Sequence, residues 1–400
     1  MIIMSKNIKI WKIISLLSIA IFVFSAVNLV RAASTLSPSS TISSITGALT
    51  YDSGKGEIFV LDASGIISAV SDSTNKVVAT VDTAVGYGSA HELAYDSGKG
   101  EIFATSGDAK AQGEPPMVTI VSDSTNAIVT NITSVSWWYP VGMAYDSGKG
   151  EVFLTDRGNA QNAGAPNVYV ISDTTNTVIA SIYAGKYPEA AVYDSGMGEV
   201  FVANTVGTIS VISDTTNSVT ATINVGSFPY GLAYDQSKGE VFVFNEDDGT
   251  VSVISDSTNT VVATVTGIAP STINPIPIAY DSSKGEIFAS NSVISDSTNT
   301  VVAQVLQDIA SKQELGEVAY DSGKGQIIEA TLTGLSVFSD SSSPSTSTGT
   351  TATATVSPSP TVPEFSSIAL VSVVAAMIAL SVTAVALKAR TRKIPAKRHG

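Results

Sequence analysis

Tyr51-Asp-Ser-Gly-Lys-Gly-Glu57 is a phrase that this chain repeats, with small changes, seven times. A second phrase, Ser-Asp-Ser-Thr-Asn or a close variant, follows each copy. A period of 40 to 50 residues with strand-like content is typical of a β-propeller, in which each repeat forms one blade. The copies begin at Tyr51, Tyr95, Tyr145, Tyr193, Tyr234, Tyr280 and Tyr320.

The fifth repeat indicates how one blade forms. Runs of β-branched and aromatic residues with strand-like periodicity alternate with clusters of turn-forming residues. Four antiparallel strands in each of seven repeats predict an all-β fold, a seven-bladed β-propeller of four-stranded blades over residues 45–340. The strands expected in the fifth repeat are residues 230–235, 240–244, 250–255 and 260–265.

Closure of the ring is less evident, because the seventh repeat has only three clear strands, near residues 317–321, 326–331 and 335–339. The fourth strand could come from residues 351–356. The option that we favour is a strand from the N-terminal lead-in, residues 33–44, which would close the ring with both ends of the domain.

The two ends of the chain have the composition of targeting and membrane segments. A basic start, an apolar run and small residues before Ala33 predict a signal peptide at residues 1–32, with an uncleaved anchor as the alternative. Residues 341–366 predict a Ser/Thr/Pro-rich stalk and residues 367–387 a transmembrane helix. The basic tail at residues 388–400 predicts a cytoplasmic C terminus, with the propeller on the cell surface and anchored in the plasma membrane.

Charge and composition argue against several classes of protein. Residues 33–366 carry all 35 acidic residues but only 11 of the 21 basic ones, a net charge of −24, which repels nucleic acid. Cysteine is absent, which excludes disulfides, thiolate metal sites and cysteine nucleophiles. The two histidines, His91 and His399, are too few for a two-histidine zinc site in the propeller.

The fourth repeat carries a further pattern. Phe201-Val-Ala-Asn204 is followed by two strand-like runs at residues 208–217 and 219–223, and by the link Gly226-Ser-Phe-Pro-Tyr-Gly231. In these features the chain resembles the YVTN family of β-propeller repeats, although the glycine-proline link is missing before several repeats. The resemblance implies a propeller on the surface of a prokaryotic cell and does not specify its ligand. Related lactonases and lyases usually act through His, Glu or Asp with a metal, and the sequence shows no such set.

Pro363, Glu364 and Phe365 come directly before the apolar C-terminal segment. A Pro-Glu-Phe tripeptide followed by a membrane helix and a basic end resembles the archaeal PEF-CTERM sorting signal. The resemblance implies processing by an archaeosortase and display on the cell surface. The basic end is longer here than in that pattern, so cleavage stays an open question.

Antiparallel strand order assigns the loops of each blade to two faces of the disc. With strands A to D counted from the axis outward, the A–B and C–D turns share one face, and the B–C turns and D–A links share the other. The two repeated phrases are the A–B and C–D turns, so we name their side the constant face and the opposite side the variable face. A specific site is expected on the variable face, because binding residues concentrate on loops held by a rigid scaffold.

The predicted ligand-binding residues combine aromatic rings with carboxylates, which suits a glycan or a cation. For the aromatic residues the alternative is packing between the second and third blades. A separate candidate is Asn131, in a glycosylation sequon. The ligand-binding candidates are His91, Glu92, Trp137, Trp138, Tyr139, Tyr187, Glu189, Tyr230 and Glu317.

The sequence therefore favours a non-catalytic surface protein without a cofactor, either a binding or adhesion module or a structural component of the envelope. Expected partners are the membrane and a glycan, surface-layer or cell-surface protein. The alternative is an extracellular metal-dependent hydrolase or lyase, in which Glu92 acts with Glu189 or Glu317 near the axis. No metal site is predicted, because the repeated acidic residues suit turns better than calcium loops.

Overall fold

A computed structural model describes residues 34–43, 45–83, 92–105, 116–134, 137–158, 167–268, 278–305, 315–331 and 334–339. The strands of this part of the chain form seven sheets. The first strand of each blade contacts the first strand of the next, and the seventh contacts the first, so these strands surround the axis of a closed ring. The predicted all-β, seven-bladed propeller is confirmed.

Two short strands precede the first blade, β1 (Ser34–Leu36) and β2 (Ser40–Ser43). Blade 1 contains β3 (Ala48–Asp52), β4 (Glu57–Leu61), β5 (Ile66–Ser71) and β6 (Lys76–Asp82). Blade 2 contains β7 (Leu93–Asp96), β8 (Glu101–Thr105), β9 (Met117–Ser122) and β10 (Ala127–Thr133). Blade 3 contains β11 (Pro140–Asp146), β12 (Glu151–Asp156), β13 (Val168–Ser172) and β14 (Thr177–Ile182).

Blade 4 contains β15 (Pro188–Asp194), β16 (Glu199–Asn204), β17 (Thr208–Ser213) and β18 (Ser218–Asn224). Blade 5 contains β19 (Pro229–Asp235), β20 (Glu240–Asn245), β21 (Thr250–Ser255) and β22 (Thr260–Thr266). Blade 6 contains β23 (Ile278–Asp281), β24 (Glu286–Ala289), β25 (Ser292–Ser295) and β26 (Thr300–Val305). Blade 7 contains β27 (Leu315–Asp321), β28 (Gln326–Thr331) and β29 (Gly334–Ser339). The fifth repeat matches its predicted strands to within one residue at every end.

The ring is closed by the N-terminal lead-in. Strand β2 pairs antiparallel with β29, from Ser40 opposite Val337 to Ser43 opposite Gly334, and supplies the outer strand of blade 7. This confirms the favoured of the two predicted closures. In addition, strand β1 pairs parallel with β26 at the outer edge of blade 6, which the sequence pattern did not predict. The two ends of the ring are therefore held together by main-chain hydrogen bonds across the final blades.

The core is divided among the interfaces between neighbouring blades. In β4, Val60 packs against Ala330 of blade 7, whereas Phe59 packs on the other side against Ile102 of blade 2. Middle strands are buried on both faces, which explains their nearly continuous apolar sequence. Each blade therefore depends on both of its neighbours for burial of its apolar side chains.

The signal peptide, stalk, transmembrane helix, basic tail and sorting tripeptide all lie outside the described residues and stay predictions. Within the residues that the structure describes, no helix has the length and apolar character needed to cross a membrane.

Candidate functional site

On the constant face, the repeated Asp-Ser-Gly-Lys-Gly phrase folds into the A–B turn of each blade. The buried Asp52 Oδ1 accepts the backbone N–H groups of Gly54 at 2.8 Å and Lys55 at 3.2 Å. Gly56 has a φ of 67°, and a Cβ at this position would lie 2.7 Å from Asp72 Oδ2 in the C–D turn. Glycine is required there because the two repeated turns of a blade pack directly against each other.

A lysine in the A–B turn joins a blade to the next one, in a contact that we name the lysine latch. Lys55 Nζ donates to the carbonyl oxygen of Asp123 and lies 3.3 Å from its Oδ1. One of these latches joins the seventh blade to the first. The other latches join Lys99 to Asp173, Lys149 to Asp214, Lys238 to Asp296 and Lys324 to Asp72.

The tyrosine that opens the repeated phrase bridges two blades. Tyr95 donates its hydroxyl to Asp123 Oδ2 of its own blade at 3.3 Å and also faces Asp52 of the preceding blade. Burial, followed by these carboxylates, raises the pKa of Tyr95 well above its usual range. The repeated acidic residues are thus engaged in turns, tyrosine contacts and latches, which is the arrangement expected of a scaffold.

On the variable face, two carboxyl groups from distant repeats meet near the axis. Glu92 precedes β7 and Glu317 lies in β27, and their side chains are in hydrogen-bonding contact. Glu317 Oε2 accepts the N–H of Leu49 at 2.6 Å, while its buried Oε1 has no donor among the described residues. Burial, and then the charge of Glu317, raises the pKa of Glu92, and burial raises the pKa of Glu317 to about 7. A proton on one of the two carboxyl groups allows this hydrogen-bonding contact.

A second carboxylate, Glu189 in β15, is paired with an arginine. Its Oε1 lies 2.7 Å from Arg157 Nε, and its side chain is buried. Burial raises the pKa of Glu189 to about 7, although Arg157 acts in the opposite direction. This pair places a guanidinium group and a carboxyl group with a raised pKa on the same face as Glu92 and Glu317.

Tyr230 in β19 connects the two pairs. Its hydroxyl lies in the electrostatic field of both Glu189 and Glu92, and also near Arg157 and Tyr139. Burial, and then the charge of Glu189, raises the pKa of Tyr230 above its usual range. We name the resulting group the axial cluster; it consists of Glu92, Tyr139, Arg157, Glu189, Tyr230 and Glu317.

The links that carry these residues have a strained backbone at two equivalent positions. Tyr187 and Phe228 each precede a proline and have φ values of 55° and 56°, which bulky side chains rarely adopt. The carbonyl of Phe228 accepts the N–H of Glu246 at 2.9 Å, and its ring stacks on Tyr230 with centroids 6.1 Å apart. Such strain often accompanies a functional surface, because the surrounding structure must maintain it.

A cavity of about 480 Å³ lies between blades 4 and 5 on the variable face. Phe228 lines this cavity and also stacks on Tyr230, so the cavity adjoins the axial cluster. Asp248 Oδ2 accepts the N–H of Ser227 at 2.5 Å and holds the link in place. The cavity is therefore a recess directly beside the axial cluster.

The other predicted site residues have different positions. Trp137 is fully buried between blades 2 and 3, with its ring centroid 5.7 Å from that of Tyr169, which is the packing arrangement that the sequence left open. Trp138 is half-buried, and its backbone N–H donates to Asp156 Oδ2 at 2.9 Å. Tyr187 is half-buried in its link, and Asn131 is exposed on the outer strand β10. His91 lies outside the described residues.

Two further residues are not among the ligand-binding candidates selected from the sequence. Arg157 is the only arginine between residues 33 and 366, and this rarity was the available signal. Glu329 is 5% exposed in β28, and burial raises its pKa to about 7. Its signal was a break in an apolar pattern, since the equivalent positions hold Val60, Ala104, Leu154, Val202, Val243 and Ala289.

Comparison with known proteins adds no name to this fold. No protein-family model matches the chain, and no curated protein matches its sequence. In the described part of the chain, no three His, Asp or Glu side chains come together as ligands for one metal ion. The class that the structure defines is a seven-bladed β-propeller. The polar side chains of its constant face contact one another, and its variable face carries the polar axial cluster.

Proposed function

We propose that this protein is a cell-surface binding module that engages a hydroxyl-rich, uncharged ligand such as a glycan at the axial cluster. The single observation that carries the proposal is the convergence of polar side chains from five different blades at one place. Glu92, Arg157, Glu189, Tyr230 and Glu317 come from blades 2, 3, 4, 5 and 7. Convergent polar groups supplied by different repeats are the usual form of a specific site on a rigid scaffold.

The chemistry of the cluster supports a neutral ligand. Glu189 is paired with Arg157, and burial raises the pKa values of Glu92 and Glu317, which favours protonation of that pair. The cluster therefore offers hydrogen-bond donors and acceptors with little net charge, although the domain as a whole is strongly acidic. The stacked rings of Phe228 and Tyr230 add an apolar surface beside these groups, as sugar rings require.

Placement on the cell surface rests on the sequence. The predicted signal peptide and membrane anchor, with the resemblances to YVTN repeats and to the PEF-CTERM signal, support an exposed, anchored propeller. On such a stalk, a ligand-binding variable face suits adhesion or envelope assembly.

A hydrolase or lyase that uses carboxyl groups near the axis is the second candidate. Burial raises the pKa of both Glu189 and Glu317 to about 7, and carboxyl groups with such values serve as general acids near neutral pH. Turnover of chromogenic glycosides or lactones by the full-length protein, lost in Glu189→Gln, would support this candidate over simple binding.

The binding proposal is tested with a glycan array, using the detergent-solubilised full-length chain. Glu189→Gln keeps the shape of the side chain but removes the partner of Arg157, and we expect at least a tenfold loss of affinity, on the order of 1.4 kcal/mol. The matched control is Glu57→Gln, the same change at the constant face, which should leave affinity unchanged. Absence of glycan binding by the unaltered protein, or equal losses in both variants, would overturn the proposal.

A further inference from the structure

Among the A–B turns that the structure describes, that of blade 4 has no lysine at the latch position. The A–B turn of blade 4 has Met197 where five latched blades have a lysine, and the Met197 side chain is 54% exposed. No cation among the described residues pairs with Asp256, the aspartate of blade 5 that occupies the acceptor position. The constant face therefore has an interrupted ring of ion pairs between blades 4 and 5.

The turn that would accept this lysine is nevertheless built like the others. Asp256 N–H donates to the carbonyl of Gly239 at 3.0 Å, as Asp123 N–H donates to Gly100 at the same distance. Tyr234 donates its hydroxyl to Asp256 Oδ2 at 3.4 Å, as in the latched blades. The same two acceptors, a carboxylate Oδ1 and a main-chain carbonyl, are thus available at the unlatched junction.

The latched blades show what these acceptors hold. In four of them the lysine Nζ donates to the aspartate's carbonyl oxygen, at Asp123, Asp173, Asp214 and Asp72. In all five, Nζ also lies 3.0 to 3.9 Å from Oδ1. In the latched blades, therefore, the group that these two oxygen atoms bind is the primary ammonium group of a lysine.

A buried carboxylate lies beside Asp256, so two negative charges are close together where the lysine is missing. Asp194 is fully buried, its Oδ2 accepts no hydrogen bond of normal length, as in the equivalent aspartates of the latched blades, and its side chain lies close to that of Asp256. Burial, and then the charge of Asp194, raises the pKa of Asp256. Asp256 is also more exposed to solvent than four of the aspartates that accept a latch, which are Asp123, Asp173, Asp214 and Asp296. Two carboxylates close together, one of them open to solvent, attract a cation.

We propose that the carboxylate and carbonyl oxygen of Asp256, with Asp194 beneath them, form a socket that binds a primary ammonium group supplied from outside the chain. The ammonium would take the place of the missing lysine at the junction of blades 4 and 5. This socket lies on the constant face and does not depend on a ligand at the axial cluster. Two sources share the chemistry, a lysine side chain of another protein and a small free amine.

The test is a titration of the isotope-labelled full-length protein, in detergent, with methylammonium chloride, followed by NMR. The Ser257 amide donates to Asp256, so its signal should shift on binding, together with that of Gly239. Tetramethylammonium, which has no N–H donor, should leave both signals in place. Met197→Lys should abolish the shift by filling the socket internally, whereas Met197→Leu should retain it.

A gain of function provides an independent check. Lys149→Met removes the latch to Asp214 and should create a second socket, seen as new methylammonium-dependent shifts at Thr215. Equal shifts in unaltered protein and Met197→Lys, equal effects of both ammonium ions, or no local shift would overturn the proposal. Tighter binding of a blocked lysine than of methylammonium would assign the site to a protein partner, and equal affinity would assign it to a free amine.

Discussion

The two faces of this propeller are built from the same strands but differ in what their side chains contact. On the constant face, turn aspartates, tyrosines and lysines contact one another from blade to blade, and at the junction of blades 4 and 5 Met197 stands in place of the lysine. On the variable face, polar residues from blades 2, 3, 4, 5 and 7 converge at the axis without a repeated pattern. The residues of the repeated phrases thus stabilise contacts between blades, whereas the site that we propose consists of residues that do not recur from blade to blade.

The largest effect should follow from removal of a buried turn aspartate. Asp146 Oδ1 accepts the N–H groups of Gly148 and Lys149 at 2.8 and 3.1 Å, and the side chain is fully buried. Asp146→Ala should lower the free energy of unfolding by about 3 to 4 kcal/mol, because buried donors lose their acceptor. Chemical denaturation measures this loss.

Asp62 provides the matched control, since it caps a turn on the variable face. Its Oδ1 accepts the N–H of Ser64 at 2.8 Å in an exposed contact. Asp62→Ala should cost less than about 1 kcal/mol, because water replaces the lost acceptor. Similar losses in the two variants would contradict the greater structural importance of the constant face.

The next effect depends on pH and concerns Glu329. Its folded-state pKa of about 7 exceeds the ordinary value of 4.5, so the folded protein retains a proton that the unfolded chain loses. Between pH 4.5 and 7 this group therefore makes the unaltered protein progressively less stable. Glu329→Gln does not titrate, and its relative stability should rise across this window by up to roughly 3 kcal/mol, then level off. A difference between the two unfolding curves that does not vary with pH would show that Glu329 is not buried as a neutral acid.

A smaller effect is expected from the lysine latches, which are partly exposed. Lys149→Met should cost about 0.5 to 1 kcal/mol, because solvent and salt screen the pair with Asp214. Met197→Lys should contribute a gain of similar size by closing the open junction. Thermal unfolding at low and high salt measures both changes, and a loss of stability in Met197→Lys would refute the equivalence of the junctions.

The sequence predicted the fold well because its information is local. Turn phrases, such as the one at Tyr51, and strand periodicity act within one repeat, so strand bounds in the fifth repeat were correct to one residue. Closure by the N-terminal lead-in was predicted as one of two options, since the seventh repeat visibly lacked a strand. The parallel pairing of β1 with β26 was not, because nothing in a three-residue segment specifies its partner.

The candidate site was less predictable for a different reason. Strand order placed Glu92 and Glu317 on the same face, but their contact joins residues more than 200 positions apart and depends on closure of the ring. Trp137 and Trp138 are adjacent in sequence, yet the first is buried between blades and the second is half-buried. Burial of a single loop side chain depends on the packing of two neighbouring blades, which periodicity does not encode.

The most direct test of the division between the two faces uses two tyrosines of the same strand, β19. Tyr230 belongs to the axial cluster, and Tyr234, four residues later, contacts Asp256 on the constant face. Glycan binding and the free energy of unfolding should be measured together for Tyr230→Phe and Tyr234→Phe. The account predicts that Tyr230→Phe loses affinity and keeps its stability, while Tyr234→Phe keeps affinity and loses about 1 kcal/mol of stability. Loss of affinity in Tyr234→Phe with full retention in Tyr230→Phe would contradict it.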